Sequence, residues 1–186
     1  MFRLILPKTR PHLDETFFYH LPLFFLAGPI AGGGDWQMVM TNKIVQKVGD
    51  CIVANPCRYR PEHPHYQYLL KGNRDNDFPT QTFWERYYLR QAALEWRQGC
   101  IVFWLPCESS TEPRTDGNPY AMDSRGEIAE WRTHLMYNSK VRLVVGAEPD
   151  FPGLRTIRRN FADAIGPDFR ICETLEEVVE RAVRYA

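Results

Sequence analysis

Four short apolar runs, each closed by a glycine or a proline, constrain this chain more than any other feature. They are Leu23-Phe24-Phe25-Leu26-Ala27 before Gly28-Pro29, and Cys51-Ile52-Val53-Ala54 before Asn55-Pro56. Cys100-Ile101-Val102-Phe103-Trp104-Leu105 before Pro106 and Val141-Arg142-Leu143-Val144-Val145 before Gly146 complete the set. Continuous apolar runs of this length read as strands buried on both faces. Helical patterns separate them. Residues 35–48 read as a helix with Asp35 as cap and Gly49 as stop, and residues 79–98 as another, ended by Gly99. In the second, Phe83, Tyr87, Arg90 and Leu94 fall along one helical stripe. A third helix is expected over about residues 125–137, then a helix at 154–165, a short strand at 169–172 and a last helix at 175–185.

Parallel strands need crossover helices, and right-handed crossovers to both faces give a doubly wound sheet. The expected class is therefore α/β, with about five mainly parallel strands and helices on both faces. The length of 186 residues suits one domain spanning 1–186, with residues 1–22 as an N-terminal extension packed on it. In such sheets ligands bind beyond the carboxyl ends of the strands. That directs attention to the loops at 28–35, 55–77, 106–127 and 146–153.

Composition removes several functions. Lys+Arg and Asp+Glu each total 23, so no bulk charge draws the chain to nucleic acid or to an anionic membrane. The apolar stretch from Phe17 to Ile30 is broken by His20 and Pro22 and is too short to span a bilayer. Asp14 and Glu15 stand directly against it, where a signal sequence would not place acids, so a cytoplasmic location is expected. Five cysteines without a C-x-x-C pair fit a reducing compartment. The histidines, His12, His20, His63, His65 and His134, have no ligand spacing on one helix. Neither a metal nor another cofactor is expected, and the partner is a small molecule.

The loops carry the candidate chemistry, each with a bland alternative. The glycine-rich turn from Gly28 to Asp35 brings backbone N–H groups toward a polar ligand, yet matches neither a dinucleotide fingerprint nor a P-loop. Ser124-Arg125-Gly126-Glu127 is a capping box, in which Glu127 reaches back to the helix start. It is equally a carboxylate near a helix N-terminus, where the charged form is favoured, as a nucleophile requires. Spacing alone does not separate the two. Trp84-Glu85 and Trp104 either flank a ring-shaped ligand or belong to the core. Arg58, Arg60 and Arg74 contact a phosphate or face solvent. Ser109-Ser110-Thr111 has no G-x-S-x-G context, which argues against a serine hydrolase.

Taken together, several pieces resemble the nucleoside 2-deoxyribosyltransferase-like family. They are Phe25-Leu26-Ala27-Gly28-Pro29-Ile30, Asp35-Trp36, Asn55-Pro56 with Arg58, Trp84-Glu85, Phe103-Trp104-Leu105-Pro106, Ser124-Arg125-Gly126-Glu127-Ile128 with Trp131, and Val144-Val145-Gly146. The order holds from about residue 24 to 150. The resemblance implies a flavodoxin-like fold and cleavage of an N-glycosidic bond by Glu127 through a covalent sugar ester. Transfer to a second base or to water completes the reaction, and a nucleotide-binding module without turnover is the alternative. It implies a donor for the departing base among Asp123, Tyr120 and Glu108. Binding roles fall to Gly28, Pro29, Ile30, Asp35, Trp36, Asn55, Arg58, Glu85, Trp104, Pro106 and Ser124, with Trp36 or Trp104 against the base. Family members are commonly oligomers, which makes a homo-oligomer the expectation and Arg184-Tyr185 candidates to act in a neighbour's site. The chain departs from the family at Ala121, where better-known transferases carry an acid six residues before the nucleophile, and at Gln98-Gly99.

Overall fold

The computed structural model describes residues 2–8, 15–68 and 78–186. His12, Arg74 and the 69–77 part of the long loop lie outside the described residues. Five parallel strands form one sheet, β1 (Arg3–Ile5), β2 (Leu23–Ala27), β3 (Ile52–Ala54), β4 (Gly99–Leu105) and β5 (Leu143–Ala147), in the order β1-β3-β2-β4-β5. The helices are α1 (Glu15–His20), α2 (Trp36–Val48), α3 (Gln81–Ala93), α4 (Met122–Tyr137), α5 (Leu154–Ile165) and α6 (Leu175–Ala182). This is a flavodoxin-like α/β fold, as the alternating runs require. No helix of the described residues is long and apolar enough to cross a membrane.

Strand alternation divides the core in two. Phe25, Ala27, Ile101, Phe103 and Leu105 face a layer carrying Trp84, Tyr88 and Leu89 of α3, Ile128 and Trp131 of α4 and Phe161 of α5. Phe24, Leu26, Val102 and Trp104 face the other layer, with Trp36, Met40 and Ile44 of α2 and Val178, Val179 and Ala182 of α6. Successive strand residues point to opposite faces, so a residue's parity decides which helices it meets. All seven residues of β4 are buried, which is why that strand shows no polar alternation.

Four expectations need correction. The fifth strand is β1, which pairs with β3 at one sheet edge, so residues 3–5 belong to the sheet itself. At 169–172 there is no strand, only a single bridge from Cys172 to Gly146. The α3 stripe is also shifted: Trp84, Tyr88, Leu89 and Ala92 are its buried face, while Phe83 is 63% exposed. Aromatic residues occur on both stripes of this helix, and the inward set is the one that meets β2 and β4. The helix itself ends at Ala93, because Leu94 is extended. All five cysteines are free, and four of them are buried.

The chain runs from β2 to β3 on one side and then crosses to β4 on the other. Their two connections diverge there, opening a crevice at the carboxyl ends of β2 and β4. Gly28 ends β2 at that crevice with φ +151°, and a Cβ there would stand 2.1 Å from the Trp104 carbonyl oxygen. Only a residue without a side chain lets the two strand ends approach so closely.

Candidate active site

A cavity of about 840 Å³ opens at this crevice, on the α3/α4 side of the sheet. That volume suits a drug-sized or nucleoside-sized molecule. Its floor is Phe25, Ala27 and Leu89, and one wall is the turn Gly28-Pro29-Ile30-Ala31. Helix α3 supplies Gln81, Thr82, Glu85 and Arg86, and the start of α4 supplies Asp123, Ser124, Glu127 and Glu130. Of the sequence-expected residues, the fold brings together Gly28, Pro29, Ile30, Glu85, Asp123, Ser124 and Glu127.

Glu127 does not cap its helix. Helix α4 starts at Met122, three residues earlier than the sequence suggested, with Ala121 at the cap position in a left-handed conformation (φ 57°). The Arg125 amide donates to the Ala121 carbonyl at 3.0 Å, so Ser124 already lies within the first turn and Glu127 within the second. From there the Glu127 side chain turns to the cavity, with no hydrogen-bond or ion-pair partner among the described residues. The capping box is present in sequence and unmade in structure. Ala121, a non-glycine residue in the left-handed region, is the strained position that moves the helix start.

The electrostatics reverse a second expectation. Burial first, then the neighbouring charges of Glu85, Asp123 and Glu130, push the Glu127 carboxyl up to about 8. The dipole at the helix end is outweighed, because its influence fades beyond the first turn. Glu85 is also raised, chiefly by burial and then by Asp123, while a hydrogen bond from Gln81 and the charge of Arg58 oppose the rise. The Gln81 amide donates to the Glu85 Oε1 at 2.8 Å and to the Pro56 carbonyl at 3.3 Å. This fixes Glu85 in its place. At neutral pH Glu127 therefore holds a proton, beside a Glu85 carboxyl that burial also holds above the usual carboxylate range.

A titration of the Glu127 carboxyl, followed by carbon NMR or infrared difference spectra, should find a midpoint near 8. In Glu130→Gln, with one repelling charge gone, that midpoint should move down. An unchanged midpoint would show that Glu130 does not act on Glu127.

The other expected residues lie elsewhere. Trp104 belongs by parity to the α2/α6 layer, and Trp36 is buried there with its indole N–H on the Pro29 carbonyl at 2.9 Å. Neither forms a wall for a base; Trp36 instead shapes the glycine-rich turn from behind. Asn55 is fully buried, donating to the Tyr59 hydroxyl and accepting from the Cys57 amide, both at 2.9 Å. Asp35 lies 3.0 Å from His63. The Tyr120 hydroxyl donates to the Pro106 carbonyl at 2.8 Å, and burial raises its pKa, so it is a poor acid and its proton is engaged. Pro106 contributes that carbonyl and no cavity surface. Glu108 accepts from the Arg114 amide at 2.8 Å. Arg58 is exposed and acts on Glu85 only through its charge.

Five polar residues of the wall, Gln81, Thr82, Arg86, Arg114 and Glu130, were not expected. Glu130 had a signal. Asp123, Glu127 and Glu130 stand at i, i+4 and i+7, one face of a helix. Arg114 arrives from a loop without periodicity and had none.

Among the described residues no group of three or more His, Cys, Asp or Glu is placed to hold a metal ion. No protein-family model matches the chain, and no curated protein matches it either.

Proposed function

We propose that this protein cleaves or transfers the N-glycosidic bond of a nucleoside or nucleotide, with Glu127 as the nucleophile. The observation that carries the reading is the Glu127 carboxyl itself, unpartnered by described residues and facing a nucleoside-sized cavity beside a second, half-buried carboxyl, Glu85. The resemblance of the surrounding segments to the deoxyribosyltransferase-like family supports the same assignment.

The reaction follows from the two carboxyls. Glu127 gives up its proton to Glu85 or Asp123, and its oxygen attacks the anomeric carbon as the carbon–nitrogen bond breaks. The bond's electron pair goes to the ring nitrogen, and the relayed proton neutralises the departing base. The sugar is left as an ester on Glu127, through an oxocarbenium-like transition state that the surrounding carboxylates stabilise. A second base or a water then attacks the same carbon and frees Glu127. The backbone of Gly28–Ala31 and the Pro29 and Ile30 side chains border the space for the bound molecule.

The test is incubation of the purified protein with a panel of nucleosides and deoxynucleotides, with and without a second free base. Chromatography reads released or exchanged base. Release alone marks a hydrolase, and exchange marks a transferase. Absence of both, with nucleotide still bound, would replace this reading with a binding module.

A further inference from the structure

Charge around the cavity is uneven. Among the described residues its wall carries four carboxyl groups, Glu85, Asp123, Glu127 and Glu130, against two guanidiniums, Arg86 and Arg114, and Glu127 holds its proton until a cation binds. Arg114 is already engaged: its Nε and Nη2 donate to the two oxygens of Asp116 at 2.6 and 2.8 Å, and its Nη1 to the Pro119 carbonyl. It reaches Asp123 only at 3.9 Å. Outside the wall, Arg58 offsets part of the Glu85 charge, and His134 stands 3.9 Å from Glu130. Among the described residues no cation acts on Glu127. A cavity so lined repels an anion and attracts a cation, most strongly where low-dielectric walls keep water away.

We infer that the cavity selects N-glycosides whose base carries a positive charge, such as a ring-alkylated purine or a pyridinium. This rests on the glycosidic reading for its turnover and on the cavity's charge for its selectivity. The chemistry agrees. A neutral base must receive a proton as it leaves, which has to be relayed from Glu127 through Glu85 or Asp123 because Tyr120 has its hydroxyl on Pro106. A cationic base needs none. When the carbon–nitrogen bond breaks, its electron pair cancels the charge on the ring and the base departs neutral. Cation binding first displaces the Glu127 proton to solvent; the carboxylate's negative charge is then consumed in the sugar ester, so bond cleavage itself needs no proton on the base. Water then attacks the anomeric carbon, the ester bond breaks, and the released proton returns to the Glu127 carboxyl. Binding of the next cation favours the ionised carboxylate, which couples substrate capture to nucleophile activation.

The experiment compares 7-methylguanosine with guanosine in mildly acidic buffer, where the methylated base keeps its charge. Each rate is divided by its own uncatalysed rate, so that intrinsic lability cancels. The cationic nucleoside should show a rate enhancement about 100-fold larger. Glu130→Gln should raise KM for 7-methylguanosine several-fold more than that for guanosine. Equal enhancements, or a preference for guanosine, would overturn cation selection and leave the glycosidic reading standing. Should neither be turned over, calorimetric binding decides. Tighter binding of 7-methylguanosine supports cation selection while ending the glycosidic reading, and equal or absent binding overturns both.

Discussion

Replacing Glu127 with glutamine should reduce base release by roughly 10³-fold or more, because an amide cannot form the sugar ester. The fold should survive the change, and its stability should rise at higher pH. The sign follows from linkage. The folded carboxyl titrates near 8 and the unfolded one near 4.5, so between those values the folded state holds a proton that the unfolded state has released. Stability therefore falls as pH rises through that window. Glutamine cannot titrate and removes the penalty. Melting curves across the window should show the variant above wild type near pH 8, with the gap closing toward pH 4.5. A less stable variant at every pH would place Glu127 in a supporting role, as a cap or a packed side chain. Loss of activity together with gained stability is the pattern of a residue kept for chemistry.

The second large effect is at Gly28. An alanine Cβ there would lie 2.1 Å from the Trp104 carbonyl oxygen and 2.8 Å from the Trp36 ring, in a backbone conformation that side chains rarely adopt. The β2 and β4 ends would have to separate where the cavity is built. Overpacking and backbone strain together should cost about 3 kcal/mol or more, read from urea unfolding. Bound-nucleoside affinity should fall with it, since Gly28 to Ala31 line the cavity. A loss below about 0.5 kcal/mol would mean that the two strand ends yield easily, contrary to the packing described.

Much of the sheet was legible because its strands are buried on both faces and end at Gly or Pro. β1 was not, since three residues, Arg3 to Ile5, show no period and are specified by their pairing with β3. The 169–172 run has strand-like residues, yet only Cys172 bridges Gly146. The start of α4 was hidden for a different reason. Ala121 caps it in a left-handed conformation that an alanine does not advertise, and the intact S-x-x-E motif pointed three residues too late.

The site divides the same way. Glu127 and Glu85 were legible as acids at the carboxyl end of the sheet, and the glycine-rich turn was legible as a wall. The tryptophans were misplaced although the parity was available: Cys100, Val102 and Trp104 share one strand face, and the cavity opens on the other. The protonated resting state of Glu127 was beyond the sequence. It depends on burial and on charges from α3 and α4, which only the folded chain brings together.

The most direct measurement of the central claim is the intact mass of the protein after rapid quenching with a slowly turned-over fluorinated nucleoside, followed by peptide mapping. A mass increase of one sugar unit, located on Glu127 and absent from Glu127→Gln, is the predicted result. Base release without any adduct, or an adduct on another residue, would contradict Glu127 as the nucleophile.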